Sequence, residues 1–186
     1  WAGWDANVGS NSSNSGQIVL RDIEIAWNGC GEDPNTGAIV NCWAQKAGGY
    51  GDGLGTTTTG GQWLIEDAFV HHNTSDGLDL LYMDGAAGTS VTMRRVYAVA
   101  NAGNQVKTRG NMTLDNSVLV GHCSYFAGKN HMQAGDQCRA SGNALSVSLG
   151  KNNVANIRHN TIISEGDGVI MTEGGDASNT VNMQHN

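Results

Sequence analysis

Four ten-residue stretches, VLRDIEIAWN, LIEDAFVHHN, TMRRVYAVAN and TLDNSVLVGH, align without gaps, and this repetition limits the fold more than any other feature of the chain. Asp22, Asp67, Arg95 and Asn116 share one column; six residues later Asn28, Asn73, Asn101 and His122 share another. NIRHNTIISEG continues the second column with Asn160, and the final NMQHN begins a further copy at Asn186. A second set of segments follows the copies: DGLGTT from Asp52, DGLDLL from Asp76, NQVKTR from Asn104, NALSVS from Asn143 and DGVIMT from Asp167. Each opens on a turn residue and then alternates inward and outward side chains, so Leu78 and Leu80 are expected in the core and Asp79 outside it. The turns recur after 24, 28, 39 and 24 residues, one coil of a solenoid whose strands stack in parallel about 4.8 Å apart.

The expectation is an all-β chain, a right-handed parallel β-helix of about six coils. Composition agrees, with 27 Gly, 20 Asn and a single Pro and abundant Val, Ile, Thr and Ser, the makeup of short strands and tight turns. A sandwich would show hairpin signals between successive strands, and none is present. Asn28, Asn73 and Asn101 are expected to form a structural ladder, because Asn tolerates positive φ and its amide can bond its equivalent one coil away. Residues 1–186 read as one domain trimmed from a longer chain. Both ends cut a coil partway, so flanking sequence or self-association is expected at the open edges.

Most coils pass from the Asn column to the next turn in three residues, but Asn28 to Asp52 takes 24 and His122 to Asn143 takes 21. Two loop inserts therefore leave the same corner, each carrying one cysteine pair. Local closure, Cys30 with Cys42 and Cys123 with Cys138, is expected at roughly 3 kcal/mol per loop, with three connectivities open. No zinc spacing is present. The inserts would wall a groove with Trp43, Lys46, Tyr50, Tyr125, Lys129, His131 and Arg139, types suited to stacking on sugars and contacting carboxylates.

Superposition brings Asp52, Asp76, Asp79, Lys107 and Arg109 to one face between the inserts. An oxygen-rich cluster of this kind suits Ca²⁺. A lysine base beside it would have to lose its proton near neutral pH, from a free pKa of about 10.4 to roughly 7 to 8. The bland readings stand alongside: Asp-Gly is a common turn dipeptide, so Asp52, Asp76 and Asp167 would serve as turn formers, and Asp79 with Lys107 would be a cross-strand pair. Asp167 is followed by Ile170 in the outward position, a turn without the site. His71 and His72 are expected to be solvated on the return strand. TTTT at 56–59 does not recur in one outward column, which excludes a threonine array of the ice-binding type.

SDGLDLL, followed one coil later by GNQVKTRG, resembles the site of the Ca²⁺-dependent pectate lyases of polysaccharide lyase family 9, whose D-D-G-x-D-L segment supplies calcium ligands and whose G-N-G-x-K segment supplies a lysine base. The resemblance runs from Asp52 to Arg109. It implies that Asp76 and Asp79, with Asp52 from the preceding coil, bind Ca²⁺ and that Lys107 takes the α-proton in β-elimination. Ser75 stands where the family has an aspartate, and Gln105 where it has a glycine. The expected partner is an acidic polysaccharide or surface glycan, for a secreted or cell-surface protein. The alternative is a non-catalytic glycan-binding, adhesion or fibre module; a polygalacturonase-like hydrolase would need further carboxylates and no lysine. A net charge of −7 with ten Lys and Arg argues against nucleic acid, and no apolar run is long enough for a membrane span.

Overall fold

The computed structural model describes residues 2–10, 14–43, 51–84, 86–129, 132–134 and 142–186. Apart from the short strands β3, β4, β5 and β13, its strands pass back and forth between two sheets as the chain proceeds. One sheet holds β1 (Trp4–Ala6), β6 (Leu54–Thr56), β8 (Leu78–Leu80), β10 (Val106–Arg109), β14 (Asn143–Leu149) and β17 (Gly168–Gly174), adjacent in that order. The other begins with three ten-residue strands, β2 (Gln17–Ala26), β7 (Gln62–His71) and β9 (Ser90–Val99). It continues as broken pairs, β11 (Asn111–Asp115) with β12 (Val118–Gly121) and β15 (Val154–Arg158) with β16 (Thr161–Ser164), and closes with β18 (Thr180–Gln184). Every pairing within these two sheets is parallel. No helix among the described residues is long and apolar enough to cross a membrane.

Parallel strands covered on their inner face need continuous apolar columns, and the register supplies them. Leu54, Leu78, Val106, Leu145 and Ile170 stack in one sheet; Leu20, Ile65, Met93, Leu114 and Ile157 stack in the other. Both columns run through one buried cluster, with the end residues Leu20 and Ile170 half-buried against it. The second sheet bends where Asp22, Asp67, Arg95, Asn116 and His159 all adopt a left-handed backbone, φ 51 to 57°. This is the first repeat column of the sequence, filled mostly by residue types that tolerate that region.

The register corrects three alignments. Positive φ at the second corner falls on Trp27, His72 and Ala100, one residue before the Asn column, so the asparagines are there for their amides alone. Asn160 follows the left-handed His159 and accepts from the Ser117 backbone N–H at 2.9 Å. It starts a separate stack with Asn186, Nδ2 to Oδ1 2.9 Å, and does not extend the Asn73 column. In the last first-sheet strand Ser146 pairs with Met171 and Asn143 with Gly168, so Met171, and not Ile170, continues the outward column, and Asp167 lies one place before the turn column.

Candidate functional site

Two hydrogen-bonded ladders flank the corner at which the inserts leave. In the first, Asn28 Nδ2 donates to Asn73 Oδ1 at 2.8 Å and Asn73 Nδ2 to Asn101 Oδ1 at 2.7 Å. Each acceptor also takes the backbone N–H of the asparagine before it, at 3.1 Å. The next coil offers His122 instead of an asparagine, and Gln105 closes the ladder: its Oε1 accepts from Asn101 N at 3.1 Å and Nδ2 at 2.8 Å. Gln105 is thus a buried ladder terminus.

The second ladder lies three residues on and is mixed. Asp76 N donates to Asp52 Oδ1 at 2.9 Å; Asn104 donates to Asp76 Oδ1 from N at 2.7 Å and Nδ2 at 2.9 Å; Asn143 N donates to Asn104 Oδ1 at 3.0 Å. Asp52 and Asp76 therefore occupy positions that asparagine fills elsewhere. The ladder needs their oxygens and has no use for their charge. Ser75 lies buried in the intervening corner, its N–H on the Gly51 carbonyl.

Outside the ladder, β8 presents Asp79 outward between Gly55 of β6 and Lys107 of β10, with Leu78 and Leu80 fully buried on the inner side. Asp79 Oδ1 accepts from Leu81 N at 3.1 Å. Lys107 Nζ sits 3.3 Å from Asp76 Oδ2 and 3.5 Å from Asp79 Oδ2. One oxygen from each of Asp52, Asp76 and Asp79 lies within 4.8 Å of the others. The side chains are poorly hydrated: 1% of Asp76, 13% of Asp79 and 17% of Lys107 is exposed. Burial first and then the charge of Asp76 push Asp79 up to about 6, against a weaker downward pull from Lys107. Among the described residues, Lys107 is the cation paired with Asp76 and Asp79.

Arg109 is exposed on β10, two residues beyond Lys107 on the same face, and among the described residues the ion pairs to Asp76 and Asp79 come from Lys107. Tyr125 sits in a 3-10 turn, Cys123–Phe126, and packs on the far side of the corner. Its ring is 4.2 Å from His72 and 6.1 Å from Trp27, with Lys129 Nζ 4.6 Å above it. His71 and His72 are not solvated. His71 is buried, with Nε2 2.9 Å from Glu24; His72 stacks on Trp27 at 4.6 Å, and burial and the neighbouring His71 lower it to about 4. The signal in sequence was their position at and just before the left-handed corner residue, where a ring folds back on its neighbour.

Cys30 and Cys42 form a disulfide. Cys123 is disulfide-bonded too, while Cys138 lies outside the described residues. So do Lys46, Tyr50, His131, Arg139 and the side chain of Trp43. The inserts do not stand as separate walls. The first contains the antiparallel pair β3 (Gly31–Glu32) and β4 (Ile39–Val40), then β5 (Cys42–Trp43); the second contains β13 (Met132–Ala134), and β5 pairs in parallel with β13.

Fold and site together define an all-β protein of stacked parallel strands in which Asp52, Asp79 and Lys107, half-buried, surround the buried Asp76. No protein-family model, curated protein or solved structure matches the chain.

Proposed function

We propose that the chain is a right-handed parallel β-helix of about six coils that cleaves an acidic, uronate-containing polysaccharide by Ca²⁺-assisted β-elimination, with Lys107 as base. The repeated passage of the chain between two parallel sheets supports the helix. The observation that carries the function is Lys107 held between Asp76 and Asp79 where three carboxylates converge. A turn former needs no lysine, and a plain cross-strand pair needs no third acid. The disulfide supports an oxidising, secreted or surface location.

The donor set fits the ion: all-oxygen, anionic, and arranged so that the ladder claims Oδ1 of Asp76 while Oδ2 faces the cluster. Ca²⁺ held by Asp52, Asp76 and Asp79 would neutralise the uronate carboxylate and acidify the C5 hydrogen beside it. The ion would draw Asp76 and Asp79 to itself, so that Lys107 could act as the base. The amine takes the C5 proton; the C–H electron pair forms the C4=C5 double bond, and the C4–O bond breaks. The departing sugar oxygen takes a proton from water, and the hydroxide left behind takes the C5 proton from Lys107, so the products are one unsaturated uronate end and one new chain end. Asp79 is kept in place beside Lys107 by the Leu81 N–H on its Oδ1.

Incubation with pectate, alginate and glycosaminoglycans in the presence of Ca²⁺ is expected to yield ultraviolet-absorbing unsaturated ends, lost with chelator. No such product from any of them sinks the lyase reading; glycan binding without product would replace it by a non-catalytic adhesion module.

A further inference from the structure

β10 carries a second outward cation. Arg109 follows Lys107 by two residues on the same face, about 6.7 Å farther along the strand. Among the described residues Arg21 and Arg94 pair with Glu66, Arg95 with Asp67 and Arg158 with Asp115, whereas Arg109 forms no ion pair. Its column continues through Ser148 to Glu173, an acid two strands away. An exposed guanidinium of this kind keeps its planar fork of donors for a carboxylate that comes from outside.

The same edge of the face carries Tyr82. The chain leaves β8 through a turn in which the Leu81 N–H holds Asp79 Oδ1, and Tyr82 follows at 58% exposure, the highest of any large apolar side chain among the described residues. Its backbone is fixed on both sides. Leu80 and Met83 are fully buried, Thr59 N donates to the Tyr82 carbonyl at 3.1 Å, and Met83 N donates to the Leu80 carbonyl at 3.4 Å. Lys107 and Thr108 pair with Asp79 and Leu80, so the same register sets Arg109 beside Leu81, one coil on and one residue from Tyr82. Ring and guanidinium flank one spot at the end of the strands remote from the ladder.

The acids lie towards the opposite end. Asp52 and Asp76 belong to the turn that opens the strands, and Lys107 Nζ reaches Asp76 Oδ2 at 3.3 Å. A carboxylate held by an ion there is on the other side of the base from Arg109, which leaves the guanidinium a second anion to meet. Resting on the lyase reading above, we infer that Tyr82 and Arg109 form a subsite for the sugar adjoining the one that reacts. The ring of that sugar lies on Tyr82, and its own carboxylate is gripped by Arg109. The bound chain runs along β8 and β10, and the site selects uronates in direct succession over uronates that alternate with neutral sugars.

Calorimetry in Ca²⁺ tests the subsite apart from turnover, in the Lys107→Ala chain, with tetragalacturonate, tetramannuronate and a hyaluronan tetrasaccharide, whose glucuronates alternate with N-acetylglucosamine. The better of the two contiguous uronates is expected to bind about tenfold tighter than the hyaluronan fragment, and adding Arg109→Gln is expected to remove that preference without weakening the hyaluronan fragment. Tyr82→Ala should weaken the contiguous uronate about fivefold, and Tyr82→Phe should not. With Lys107 restored, Arg109→Gln and Tyr82→Ala should raise KM for the same oligomer and leave kcat within about twofold, with melting temperature and Ca²⁺ affinity unchanged. No binding of any tetrasaccharide, equal binding of all three, or contiguous-uronate binding that neither Arg109→Gln nor Tyr82→Ala weakens overturns the subsite, whether or not unsaturated ends are released. Weakening by both variants in a chain that releases no unsaturated ends upholds the subsite and overturns the lyase reading.

Discussion

Replacing Asp79 by Asn should stabilise the protein at neutral pH when no divalent cation is present. Asp79 has its carboxyl raised from 3.8 to about 6 by burial and by Asp76. At about 1.4 kcal/mol per pKa unit, keeping it ionised costs the fold about 3 kcal/mol. The folded state binds this proton more tightly than the unfolded chain does, so the contribution is neutral below pH 4 and grows unfavourable as pH climbs towards 6. Asn preserves the oxygen that accepts from Leu81 and removes the charge. The variant should therefore match the parent at pH 4 and exceed it at pH 7, by roughly 6 to 12 °C in melting temperature for a chain of this size. Denaturation in chelator at both pH values provides the measurement. Adding Ca²⁺ should narrow or invert the gap, because the parent gains more from the ion; at a hundredfold excess over Kd the gain is about 2.7 kcal/mol. A variant less stable than the parent at pH 7 in chelator, or a gap of equal size at pH 4, would refute the reasoning.

Four further substitutions distinguish ladder, site and core. Asp76→Asn keeps the ladder acceptor and loses the charge, so calorimetry should show Ca²⁺ binding weakened at least about tenfold with stability little changed, whereas Asp76→Ala also strands Asn104 and should cost about 2 to 4 kcal/mol in urea titrations. Asn101→Ala removes the acceptor of both Asn73 donors and should cost about 2 to 4 kcal/mol by the same measurement, without altering Ca²⁺ affinity directly. Thr108→Val should stabilise by about 1 kcal/mol, since the buried Thr108 hydroxyl has no hydrogen-bond partner among the described residues and valine fills the same space without it.

The repeats made the sheet register of Asp79 and Lys107 legible before any coordinates, because a period-two strand fixes which residues share a face. The pairing of Leu78 with Val106 follows from the same alignment. What the alignment missed is local backbone. It put positive φ on asparagine when the left-handed residue is the one before it, and it merged Asn160 with the wrong column, since a one-residue offset is invisible where both columns hold asparagine. Gln105 shows the other limit: its role as ladder terminus depends on the chain leaving the column at His122, a tertiary fact. The joining of β5 to β13 was illegible because two-residue pairing between distant loops carries no periodic signal.

The claim that Lys107 removes the C5 hydrogen is tested most directly by comparing unsaturated-end release from ordinary and C5-deuterated uronate substrate, for the parent and for Lys107→Ala, in Ca²⁺. The parent should be slowed by deuterium and the variant should release no product above background while still binding Ca²⁺. Product release by Lys107→Ala at the parent's rate, with the same sensitivity to deuterium, would contradict the account.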